Sequence, residues 1–98
     1  MELACKLTSP EFRARKATAL AEFRKCIVET KEIQNGFLYT FEGSDQMLNL
    51  LLEFIKTERQ CCDFFQFHLT AGNGSRELQI ALSGPEGVKE FIKKELGL

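Results

Sequence analysis

The chain is short of the features that usually announce a function. It has a single histidine, its apolar runs are only a few residues long, and its charges nearly cancel, with 13 basic against 14 acidic residues. Such short runs exclude a membrane-spanning helix, which needs about 20 consecutive apolar residues. A formal charge of -1, with both signs interspersed, offers no basic face to nucleic acid and no polybasic tail to a lipid surface. The opening Met1-Glu2-Leu3-Ala4 has neither the basic nor the apolar region of a secretory signal. The expected setting is therefore the cytoplasm, where the four cysteines are reduced thiols rather than a disulfide framework.

What the chain does have is a strong fold signal. With 98 residues, 44% apolar and 28% charged, residues 1–98 make one soluble α+β domain with a single modest core. Leu3, Cys5 and Leu7 alternate with polar neighbours as a short first strand. Ser9-Pro10-Glu11 then opens a helix: serine caps, proline suits the first position, and glutamate favours the positive end of the dipole. Phe12, Ala19, Leu20, Phe23 and Ile27 form its apolar stripe, with Lys16 among the charged residues assigned to its other faces, and it ends near Cys26 or Ile27. Asn35-Gly36 separates two β-branched and aromatic runs, a hairpin signal for a type I′ turn with both residues at positive φ.

Ser44 caps a second helix whose face of Met47, Leu48, Leu50, Leu51, Phe54 and Ile55 makes it the central core helix. From Asp63 the period changes to two. Phe65, Phe67 and Leu69 face inward, and Leu78, Ile80 and Leu82 form the other half of a second hairpin. Ser83-Gly84-Pro85-Glu86 has capping-box spacing for a last helix that buries Val88, Phe91, Ile92 and Leu96. The order is β-α-β-β-α-β-β-α: an α+β two-layer sandwich, an antiparallel sheet from two hairpins plus the N-terminal strand, with helices on its aromatic face. The opposite face carries Leu38, Thr40, Gln66, His68, Thr70, Gln79 and Ala81 and no charge. A homodimer through these faces or through the sheet edges is the expected assembly.

One cluster looks like chemistry rather than packing. The period of the second helix carries past Phe54 and Ile55 to Glu58, then to Cys61 and Cys62. Adjacent cysteines lie too close for an unstrained disulfide, so two free, semi-exposed thiols at the helix end are expected. As thiolates they suit a soft metal ion such as zinc or copper, with Glu58 as a third ligand and help from Cys5, Cys26 or His68. The same pair also reads as two small buried hydrophobes. Glu58, on an otherwise apolar stripe, must be neutralised by burial or held by a group from elsewhere, since Arg59 points about 100° away. His68 lies on the outer face, where a solvated side chain is the ordinary outcome.

The segment Glu58-Arg59-Gln60-Cys61-Cys62-Asp63-Phe64-Phe65, with Leu82-Ser83-Gly84-Pro85-Glu86-Gly87-Val88-Lys89-Glu90-Phe91, resembles a family of small uncharacterised bacterial proteins. The resemblance spans nearly the whole chain, including Cys5-Lys6-Leu7-Thr8 and the Asn35-Gly36 hairpin. In that family the cysteine pair is often followed by proline, where this chain has Asp63. The resemblance implies the identity of the unit and supplies no activity. Three functions stay open: a protein binding a soft metal ion or thiol-reactive ligand through the cysteine pair, a homo-oligomeric or interaction module with structural cysteines, and a small thiol enzyme. The enzyme ranks last, because no base or oxyanion donor stands at a recognisable spacing.

Overall fold

The computed structural model describes residues 9–72 and 76–98. Three helices and four strands follow in the order α1 (Pro10–Cys26), β1 (Glu29–Ile33), β2 (Gly36–Glu42), α2 (Asp45–Cys61), β3 (Gln66–Ala71), β4 (Glu77–Ser83) and α3 (Val88–Glu95). The expected first strand around Leu3–Leu7 lies outside the described residues. The sheet is wholly antiparallel between neighbours, in the order β1-β2-β4-β3. Because β2 and β3 both run against β4, they are parallel to each other, and α2 is the crossover that joins them.

The helix starts follow from side-chain caps. Ser9 Oγ accepts from the amide of Phe12 at 3.0 Å, and Ser44 Oγ accepts from that of Met47 at 3.0 Å. Each satisfies an amide that the helix itself cannot. The third start differs from the capping-box expectation. Ser83 is still the last residue of β4, paired with both Gly36 and Gln66, so its backbone belongs to the sheet. The chain turns through Pro85 and Glu86, and α3 begins only after Gly87, which adopts the left-handed conformation at φ 92°.

The first hairpin also differs. Its turn is Gln34–Asn35, with Ile33 paired to Gly36, and among the described residues no non-glycine has positive φ. Gly36 serves contact rather than turn geometry. A Cβ built there would lie 1.8 Å from the carbonyl oxygen of Leu82 on the neighbouring strand. Asn-Gly therefore marked the hairpin correctly but placed the turn one residue late.

One face of the sheet presents Phe37, Tyr39, Phe41, Leu78, Ile80 and Leu82, all buried, and the helices cover it. Phe23 of α1 stacks on Phe54 of α2, with centroids 3.8 Å apart, and meets Tyr39 edge-on at 5.5 Å. That cluster joins both helices to β2. After α2 the chain is anchored by Phe64 and Phe65 packing edge-on against Phe91 of α3. On the opposite face Leu38 and Ala81 pair at the centre, with Thr40 beside Gln79 in the next row. His68 lies beyond Ala81 on this face and is exposed, as expected.

Truncating the shared stack removes aromatic area from both helices at once. Phe54→Ala should cost about 3–5 kcal/mol in denaturant unfolding, against under about 0.5 kcal/mol for Leu52→Ala on the outer face of the same helix. Equal costs at the two positions would contradict this placement of the core.

Candidate thiol site

The last two turns of α2 keep the phase set by Leu51 and Phe54, so Thr57, Glu58 and Cys61 all point inward and are buried. Thr57 is satisfied locally, its hydroxyl donating to the carbonyl of Phe54 at 3.0 Å. Glu58 is not. It is 0% exposed, and neither carboxylate oxygen has a hydrogen-bond partner among the described residues. The group that faces it is Lys16 of α1, whose Nζ stands 3.4 Å from Oε1. The same ammonium donates to Cys61 Sγ at 3.3 Å. Lys16 thus bridges a buried carboxylate and a sulfur from the neighbouring helix.

The two cysteines are joined by contact and not by a bond. Cys62 caps the helix in an extended conformation, and its thiol donates to Cys61 Sγ across 3.5 Å. That separation excludes a vicinal disulfide, which requires about 2.05 Å. Two expectations need correction here. Cys61 is disulfide-bonded, and since Cys62 and Cys26 are in no disulfide, neither is its partner. The pair is also buried rather than semi-exposed, at 1% and 0%, because the apolar stripe of α2 carries both residues under α1. Cys26 is half-buried at the end of α1, and Cys5 lies outside the described residues.

The electrostatics follow from this burial. Desolvation pushes Glu58 above the usual carboxylate range, and Lys16 pulls part of that shift back. Desolvation also raises the Cys62 thiol to about 11, with Lys16 opposing and the charges of Glu58 and Asp63 adding. A shallow concavity of about 430 Å³ opens over Cys62 beside Arg59 and Phe65.

The structure brings Glu58, Cys61 and Cys62 to one place but not as a completed ligand sphere. Among the described residues no group of three or more histidine, cysteine, aspartate or glutamate side chains could hold a metal ion. His68 projects from the other face of the sheet. The residue that the sequence reading missed is Lys16. Its signal was present, because Lys16 falls four residues after Phe12 and four before Leu20, on the apolar stripe itself. A cation there needs a partner, and Glu58 on the apolar face of α2 is its complement. Comparison with known proteins gave no match: no family model, curated protein or solved structure is significantly similar to the chain.

Because its folded pKa is raised, Glu58 holds its proton more tightly in the folded than in the unfolded chain. Its contribution to stability is full below the ordinary value of 4.5 and is lost as pH rises through the folded value. Whatever constant cost Glu58→Gln carries, the variant should gain on the parent as pH rises from about 4 to 8 in paired thermal melts. A difference that stays flat across that range would show that Glu58 titrates normally.

Proposed function

We propose that the chain is a thiol-based binding protein whose centre is Cys61 and Cys62, with Glu58 as the neighbouring carboxylate. The supporting observation is the convergence of two sulfurs 3.5 Å apart with a buried carboxylate and the Lys16 ammonium at one helix end. A buried carboxylate costs free energy unless it is paired, and the Lys16 ammonium that pairs it also reaches Cys61 Sγ, so the charged pair and the sulfurs form one cluster. A soft metal ion such as zinc or copper requires Cys61 in its reduced form and a further donor. A thiol-reactive ligand requires only one thiol, and Cys62 is in no disulfide. The second ligand class is therefore the better supported. The family resemblance is compatible with either.

Reduced, untagged protein gives the direct test. One or two thiols should react before unfolding and disappear in Cys62→Ser or Cys61→Ser, and stoichiometric metal would assign the ion instead. Metal-free protein whose four cysteines react only after denaturation would leave the pair structural.

A homodimer is a second reading, favoured by the sheet face away from the helices. Its central rows join Leu38 to Ala81 and Thr40 to Gln79, and charge enters only at the margins, with Lys31 and Glu29 on β1 and the paired Glu42 and Glu77. A charge-poor centre with a charged rim suits a two-fold interface. Sedimentation should then show a dimer that Ala81→Lys dissociates into folded monomers. A monomer at high concentration for the parent chain would contradict it.

A further inference from the structure

The two edges of the sheet are finished differently. At one edge, β1 is Glu29-Thr30-Lys31-Glu32-Ile33, exposed along its first four residues, with Glu32 held by Lys89 at 2.8 Å. Charge along an edge strand guards it against pairing with another chain. At the other edge, β3 is Gln66-Phe67-His68-Leu69-Thr70-Ala71, without a carboxylate, lysine, arginine, proline or glycine. Among the described residues no strand lies beyond it. Its helix-side residues Phe67 and Leu69 are only half-buried, whereas Leu82 and Ile80, which they oppose on β4, are buried. The apolar layer therefore reaches this edge and stays partly uncovered there. The concavity walled by Ile55, Phe65 and Phe67 opens beside the same strand.

We infer that the β3 edge pairs with the β3 edge of a second copy of this chain, antiparallel across a two-fold axis, so that two four-stranded sheets become one of eight strands. This contact is separate from the sheet face discussed above and does not depend on the thiol-site reading.

The strand is complementary to itself. Across a two-fold axis, opposed residues have a constant sum of numbers, and they share a side of the sheet only when that sum is even. The axis therefore passes through a residue. Centred on His68, each Phe67 faces Leu69 of the other copy on the helix side, and each Gln66 faces Thr70 on the open side. Centred on Leu69, each Phe67 would face only Ala71, a poorer match. No like charges meet in the chosen register. Pairing also satisfies the backbone groups that an edge strand leaves open. Residues 66–70 of each copy make a small contact, which places it among interfaces that form only as concentration rises.

The test uses the full chain carrying Ala81→Lys, which removes association through the sheet face. Sedimentation velocity should show a monomer in dilute solution and a growing share of dimer as concentration is raised. Adding Leu69→Lys should keep the chain monomeric at every concentration, with circular dichroism establishing that it is folded. In the same background, the exposed position 68 gives a second measurement that leaves the packing untouched. His68→Cys should form a disulfide between two copies on oxidation with diamide, because residues opposed on the axis have Cα atoms about 4.5–5.5 Å apart. Thr70→Cys should cross-link several-fold less, since its two copies stand about 13 Å apart along the strands. Peptide mass spectrometry assigns each link. A dimer that survives Leu69→Lys, equal cross-linking at the two positions, or a monomer at all concentrations of the Ala81→Lys chain would overturn the edge pairing.

Discussion

A single ammonium, Lys16 Nζ, faces both the Glu58 carboxylate at 3.4 Å and Cys61 Sγ at 3.3 Å, and the character of the site depends on that contact. The carboxylate is wholly buried on a helix face that is otherwise apolar. Without a cation across the helix interface it would be forced to stay protonated or to open the packing. Lys16 can serve because its aliphatic stem lies along the apolar stripe of α1 while its head reaches α2. The surface pair Arg15–Glu53 joins the same two helices, but it is exposed on both sides and is worth little by comparison.

The fold makes this contact possible by stacking Phe23 on Phe54, one turn before Glu58 on α2 and two turns after Lys16 on α1. That stack sets the spacing and rotation of α1 against α2, and the sheet beneath fixes both through Tyr39 and Phe41. Pairing of β4 between β2 and β3 then leads the chain from the end of α2 directly into Phe64 and Phe65, which α3 clamps through Phe91. The helix end carrying the thiols is thus held from three sides. Local packing and candidate chemistry share the same few residues.

Much of this was legible in the sequence, for identifiable reasons. Ser9 and Ser44 are capping residues in front of clean apolar periods, and both helices begin where those serines stand. The alternation of Phe37, Tyr39 and Phe41 assigned the buried face of β2 correctly, since strand side chains have a period of two. Ser83 misled because a capping-box spacing does not reveal that its first residue is still committed to a strand. Gly36 misled because glycine serves close contact as well as positive φ. At the site, the inward phase of Glu58 and Cys61 could be read, whereas the Lys16 contact spans 42 residues and joins two elements whose relative placement no local pattern encodes. The disulfide state of Cys61 was likewise beyond a rule that infers redox state from the expected compartment.

The claim that the buried polar groups serve the thiols rather than the fold is tested most directly by the double variant Lys16→Met with Glu58→Gln. Replacing a buried ion pair by groups of similar shape is commonly neutral or stabilising. Lys16 lowers the pKa of Cys62 more than Glu58 raises it, so removing both should leave the thiol harder to ionise. The expected result at neutral pH is unfolding stability equal to or above that of the parent, with slower reaction of Cys62 toward a neutral disulfide. A loss of about 3 kcal/mol or more with unchanged thiol reactivity would contradict it, and would make the pair a structural clamp between α1 and α2.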